Sequence, residues 1–294
     1  MPTQTALIVS EVGGRVHPVS NWPIPQPEQG QIQIRVSIAG LNPHDQKARD
    51  TGLFIKDSLP TILAHDLTAK ISDTVNEHEA AALPTNVIAS SIAIFDPSGL
   101  GIPAPWSPEA ASFGYADASL LIVGGGTNCG RFGVQLAKLA GIGEIVVIGG
   151  DEKELMEWGA THVLNRHAGD AKIVEQIRSI VGDELLYAFD TINLPEDQHI
   201  AISALSSSRK GTVARLRASI GKVDETKIIG QKTVPKTAKP FWDRVAGYLQ
   251  TGALVSPRYK IVKGLDADKV NAVLDRYRDG EKVIQTHFEV EGVE

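Results

Sequence analysis

Leu120-Leu121-Ile122-Val123-Gly124-Gly125-Gly126-Thr127-Asn128-Cys129-Gly130-Arg131-Phe132-Gly133 is the stretch that decides the fold. Four consecutive apolar residues read as a strand buried on both faces. The glycines read as a turn, and Phe132, Leu136, Leu139 and Ala140 read as one face of a helix. A strand that passes through a glycine turn into a helix is where backbone amides and the helix dipole receive a diphosphate. A strict G-x-G-x-x-G is absent, because Thr127 stands at the middle position between Gly125 and Gly130, so the context rather than the spacing carries the reading. The candidate cofactor-binding residues here are Gly125, Gly126, Thr127, Asn128, Cys129 and Gly130, with side-chain donors available from Thr127 and Asn128. A plain flexible loop is the alternative.

Outward from this run, strands and helices alternate. Strands are expected at Leu120-Val123, Glu144-Ile148, His162-Leu164, Leu185-Phe189 and Gly211-Leu216, and helices at Gly130-Ala140, Glu152-Trp158, Ala171-Val181 and Asp197-Ser206. Such alternation with near-continuous apolar strands indicates an α/β class, a doubly wound parallel sheet covered on both faces. The second strand ends at Gly149-Gly150-Asp151-Glu152-Lys153, where an adenosine ribose is expected. Asp151 could accept ribose hydroxyls, and Lys153 could accept a 2′-phosphate. With Glu154, Asp151 could instead form a helix capping box.

The flanks differ. Ala6-Val9 and the alternating Gln31-Ile32-Gln33-Ile34-Arg35-Val36 predict strands, separated by the proline-rich loop Trp22-Pro27, so the first region reads as an all-β unit. An alanine-rich helix, Glu77 to Ile94, is interrupted by Pro84. Near the end, Pro240 is expected to open a helix closed by Gly252, a second helix carries Val270, Val273, Leu274 and Tyr277, and Lys282-Val290 forms a last strand. Two domains are expected: residues 1-85 with 240-294, and residues 86-239.

Composition narrows the function classes. The 29 Lys and Arg against 35 Asp and Glu leave a net charge of −6 with no basic cluster, which argues against nucleic acid and membrane surfaces as partners. Cys129 is the single cysteine, so neither an intramolecular disulfide nor a cysteine-rich zinc site is expected. No apolar stretch reaches the length of a membrane span and the start lacks a leader pattern, so a cytoplasmic location is expected.

Several short segments together resemble the medium-chain dehydrogenase/reductase superfamily, in its zinc-free branch of quinone oxidoreductases and fungal trans-acting enoyl reductases. The carriers are Ala39-Gly40-Leu41-Asn42-Pro43-His44-Asp45, Leu59-Pro60-Thr61-Ile62-Leu63-Ala64-His65-Asp66, Glu79-Ala80-Ala81-Ala82-Leu83-Pro84, the glycine turn, Gly159-Ala160-Thr161-His162 and Phe189-Asp190-Thr191-Ile192. The resemblance implies a GroES-like substrate domain built from both chain ends, a central Rossmann domain, and reduction of an activated C=C bond by NADPH in fungal secondary metabolism. NADH stays open as the alternative cofactor. It also implies an unsaturated carbonyl or acyl thioester substrate, a polyketide synthase partner and homodimers. Asn42, His44 and Lys47 are the candidate catalytic residues on this basis, Thr191 joins the cofactor contacts, and Ser90 stands beside Ala89 where relatives place a threonine. The segment resembling Leu63-Asp66 is fused almost directly to one resembling Ala69-Asp73, so the middle strands of the substrate barrel are missing. That motivates a second hypothesis, a non-redox member of the fold that cyclises or isomerises a metabolite or serves a synthase. No metal site is expected, since no H-E-x-x-H or similar ligand spacing occurs.

Overall fold

The computed structural model describes residues 2–68, 76–217 and 235–290. In chain order the elements are β1 (Thr3–Val9), β2 (His17–Pro23), β3 (Ile38–Leu41), α1 (Pro43–Thr51), β4 (Thr61–Ile62), β5 (Asp66–Thr68), α2 (Glu77–Ala81) and α3 (Pro84–Phe95). They continue with β6 (Ser119–Val123), α4 (Asn128–Ala140), β7 (Glu144–Ile148), α5 (Glu152–Trp158), β8 (His162–Leu164), α6 (Asp170–Val181), β9 (Tyr187–Asp190), α7 (His199–Ala204) and β10 (Thr212–Arg215). The last are α8 (Pro235–Gln250), β11 (Tyr259–Lys263), α9 (Ala267–Arg278) and β12 (Gln285–Glu289). Two compact units result, residues 1–85 with 256–294 and residues 86–255.

In the central unit, β10, β9, β6, β7 and β8 lie in that order, all parallel. From β6 the chain winds outward through β7 and β8, then returns to its other side for β9 and β10. The reversal between β6 and β9 is the switch point at whose carboxyl ends ligands bind in such sheets. Every residue of β6 is buried, as its unbroken apolar run requires. Gly133 lets α4 approach this layer: a Cβ there would stand 3.1 Å from the Phe189 ring.

The first unit holds two sheets, β2-β1-β4 and β11-β12-β3-β5. The second sheet has unlike faces. One side packs Leu41 and Phe288 with Val9, Ala48, Ile55, Val270 and Leu274 into an apolar core. On the other, Gly40 stands opposite His287 and Asp66. This polar side is buried too.

Three expectations change here. Gln31–Val36 is not a strand: Ile32 is 86% exposed, and the segment's alternation finds no partner sheet among the described residues. The first region is not all β, because Asn42-Pro43-His44-Asp45 starts α1. Pro43 takes the first helical position, the Asp45 carboxylate accepts the Asn42 amide at 2.7 Å, and Gly52 ends the helix at φ 75°. The boundary expected at residue 240 moves to 256, since α8 begins at Pro235, carries Pro240 inside it, and belongs to the central unit. Its Phe241 is buried against Trp106, and Thr237 donates to Asp96 at 2.6 Å. The segment Ala69-Asp73 lies outside the described residues.

Candidate functional site

At the end of β6 the chain folds tightly on itself. The amides of Gly124 and Gly125 both donate to the Ile148 carbonyl, at 3.0 and 3.2 Å, which ties the turn to β7. A side chain at Gly125 would collide with Val147 at 2.3 Å, and one at Gly130 with the Gly124 carbonyl at 2.3 Å. These glycines are therefore demanded by main-chain packing. Gly126 differs: it is exposed, so the turn opens to solvent at the residue just before the helix cap. A diphosphate can reach the backbone there, since no side chain of the turn intervenes at Gly126.

Thr127 caps α4. Its hydroxyl accepts the Gly130 amide at 2.9 Å and meets the Thr191 hydroxyl at 2.9 Å. Thr191 is only 8% exposed, and its hydroxyl donates to the Val123 carbonyl at 2.9 Å. Both threonines thus hold the turn in shape from beneath. Their hydroxyls are engaged within the protein, whereas the sequence reading gave Thr127 an outward donor and Thr191 a cofactor contact. Asn128 and Cys129 form the half-buried first turn of α4, with Cys129 Sγ 3.5 Å from Asn86 Oδ1. Ser90 is buried and donates to the Cys129 carbonyl at 2.9 Å, pinning α3 to the start of α4.

The next crossover completes the cradle. Gly149 and Gly150 both have left-handed φ, 74° and 106°, and a Cβ on Gly150 would lie 2.9 Å from the Gly126 amide nitrogen. Asp151 caps α5 by accepting the Glu154 amide at 2.9 Å, while the Glu154 carboxylate pairs with Arg131 at 3.0 Å. The capping alternative for Asp151 is thus realised, with Glu154 turned to a different partner. Lys153 is exposed at the start of α5. The sequence reading missed Arg166, which follows β8 and is exposed, with its Cδ 3.4 Å from where a Gly149 side chain would be. The signal was available: the residue after a third parallel strand shares a sheet end with the residue after the second.

In the first unit, Asn42 is 3% exposed and its amide donates to Asp66 at 2.7 Å. Asp66 is fully buried and also accepts from the Thr85 hydroxyl at 2.6 Å, the Thr85 amide at 2.8 Å and Gln285 at 3.2 Å. Burial pushes its carboxyl above the usual range, against the pull of the Thr85 and Asn42 hydrogen bonds. Asn42 is thus built into a polar knot, with His44 and Lys47 half-buried on the helix that follows.

His44, Asp45 and His65 each offer a ligand atom within 4.8 Å of the others. The Asp45 carboxylate is fully buried, accepts the Ala64 amide at 3.0 Å and lies 3.5 Å from His65 Nδ1. That hydrogen bond to Asp45 holds the His65 pKa above its ordinary value, while burial pulls that of His44 below. Sequence spacing gave no hint of this cluster, because His65 arrives from a separate loop.

A family model described as zinc-binding dehydrogenase matches residues 129–229. Among curated relatives, the dehydrogenase orsE of Emericella nidulans is 25% identical over 95% of this chain and 97% of its own. The trans-enoyl reductase traG of Penicillium crustosum is 21% identical over 82% of this chain and 76% of its own. The orsE alignment runs 345 positions against 294 residues, so at least 51 of its positions have no counterpart here. Of solved structures, the CurK enoyl reductase superposes with a TM-score of 0.68 at 15% identity, covering 97% of this chain and 99% of that one. A mycobacterial protein solved with NADPH superposes with a TM-score of 0.64 at 15% identity, covering 98% and 100%. Both share the fold.

Proposed function

We propose that this chain, an oxidoreductase of the medium-chain dehydrogenase/reductase superfamily, reduces an activated C=C bond of an unsaturated carbonyl or acyl thioester with NADPH. The observation that carries the reading is the glycine turn at the switch point, bare at Gly126 and braced from beneath by Thr127 and Thr191. NADPH, when bound, supplies the hydride. The protein's own part is to hold and orient. The exposed backbone at Gly126 faces the diphosphate, and Lys153 with Arg166 favours a 2′-phosphate over a bare ribose hydroxyl, with Asp151 tied to its helix. On the substrate side, Lys47 is the group proposed to stabilise the charge that develops on the carbonyl oxygen. Asn42, anchored to Asp66, sets the start of its helix. His44 leans on His65 and Phe54.

The trans-enoyl reductase relatives support a role in secondary metabolism beside a polyketide synthase. The test is consumption of NADPH with a panel of enoyl thioesters and enones, read as loss of reduced-nicotinamide absorbance. Tight NADPH binding with no turnover across the panel would refute the reductase reading and leave the cofactor site standing. The shortened first unit favours a second reading: a non-redox member of the fold, marked by the absence of NADPH binding in a fluorescence titration.

A further inference from the structure

Resting on the dinucleotide reading of the glycine turn, we propose that Arg131 and Glu154 are positioning residues for the cofactor. Their ion pair sets the spacing between the turn after β6 and the turn after β7, acting through the backbone of both turns rather than through contact with the dinucleotide. Arg131 stands one residue beyond Gly130 on α4, Glu154 stands in the first turn of α5, and Arg131 Nε donates to Glu154 Oε2 at 3.0 Å. At 17% and 11% side-chain exposure, this is the least exposed ion pair of the central unit among the described residues. Shielded charges are screened less than solvated ones, so each holds the other in one geometry. A cation near the start of α4 also meets the positive end of that helix dipole, a cost that an acidic partner offsets, whereas Glu154 is favoured by the dipole of α5.

The neighbour of Glu154 shows what this geometry controls. Leu155 is fully buried, and its Cδ1 lies 3.0 Å from where a Gly125 Cβ would stand and 2.6 Å from where a Gly150 Cβ would stand. One side chain of α5 therefore fills the hollow left by two glycines, one from each turn. Beside it the turns themselves touch, since a Cβ on Gly126 would lie 3.3 Å from the Gly150 Cα. α5 seats both turns at once, yet it has only seven residues, and a helix that short depends on its surroundings to stay in place. The Asp151 cap fixes its start, and the Arg131 to Glu154 pair fixes how it rolls against α4. The two residues carry opposite charges, so position and charge predict different outcomes. Acting by charge alone, loss of Arg131 would weaken the hold on an anionic dinucleotide and loss of Glu154 would strengthen it. Acting by position, both losses weaken it.

The test is fluorescence titration of the full chain with NADPH and with NADH. Arg131→Ala and Glu154→Ala should each raise both dissociation constants about five- to tenfold, and the swapped pair Arg131→Glu with Glu154→Arg should return to within about threefold of wild type. Glu154→Gln, which keeps the size and loses the charge, repeats the comparison of sign with the least disturbance. Arg178→Ala breaks the ion pair with Asp183 at the last turn of α6 and is the control: it should lower the melting temperature and leave both constants unchanged. Circular dichroism checks that each variant folds. Tighter NADPH binding by either Glu154 variant, unchanged binding in both alanine variants, a swapped pair no better than the single variants, or equal losses in Arg178→Ala overturns the positioning role. A wild-type chain that binds neither cofactor overturns the dinucleotide reading and the positioning role together, an outcome set apart because it shows before any variant is made.

Discussion

Replacing Arg166 with alanine should separate the two nicotinamide cofactors. Arg166 is exposed, and its Cδ lies 3.4 Å from where a Gly149 Cβ would stand, so its removal leaves no cavity and should change stability little. A unit charge pair at about 4 Å in water is worth about 1 kcal/mol, and a phosphate monoester carries about 1.5 to 2 negative charges at neutral pH. The loss on removing the guanidinium is then about 1.5–2 kcal/mol, a 10- to 30-fold rise in the NADPH dissociation constant. NADH, which lacks the 2′-phosphate, should change by less than about twofold. Lys153→Ala should act in the same sense. Since both groups are solvated, raising salt from about 0.05 to 0.5 M should erode the NADPH preference and leave NADH alone. Fluorescence titration with both cofactors, on wild type and variants, reads this directly. Equal losses for NADH and NADPH, or none, would refute the placement of the adenosine end at Gly149 and Gly150.

Thr127→Ala removes the cap of α4 and its link to Thr191. It should cost about 1–2 kcal/mol in chemical denaturation and weaken both cofactors alike, with Thr127→Ser nearly silent. Arg49 is 3% exposed and joins Asp50 at 2.6 Å and Asp275 at 2.7 Å, linking α1 to α9. Arg49→Leu should cost about 2–3 kcal/mol in the same measurement, less than a fully buried pair because Asp275 keeps some solvent. His287 has both ring nitrogens buried without partners, and burial pulls its pKa down to about 4 from 6.5. The unfolded chain takes up that proton near pH 6.5 and the folded chain only near pH 4, so stability falls as pH drops through this window. The loss is at most about 3 kcal/mol, and His287→Phe should flatten the dependence seen by denaturation between pH 7 and pH 4.

The central unit was legible because its inner strands β6, β7 and β9 are almost wholly buried and its helices bury one face, so each element's period is written in a short window. Glu144–Ile148, Glu152–Trp158 and His162–Leu164 form as the sequence predicts. The first unit was less legible for a physical reason. The register of its strands depends on partners far away in the chain, as when Ala39 meets Phe288. β11 and β3 pass without a local signal, while the alternation of Gln31–Val36 gives one that no neighbouring strand satisfies. The start of α1 could have been read from Asn42-Pro43 and Asp45, an N-cap, a first-turn proline and an acidic third position. At the site, the passage from strand through glycines into helix exposed the turn itself. The partners of the Thr127 and Thr191 hydroxyls were not legible, because a hydroxyl's partners depend on tertiary contacts.

The second sheet of the first unit places β12 between β11 and β3, so a strand near the end of the chain occupies its middle. A ribosome adding about 5–20 residues per second needs roughly ten to fifty seconds to travel from Ala39 to Phe288. Throughout that delay Asn42 and Asp66 lack Gln285, and Leu41 lacks its cover from Phe288. The contiguous central unit, by contrast, can finish while the nascent amino-terminal segment still waits for its closing strand, which makes the exit-tunnel stage the moment when chaperone shelter matters most for this chain.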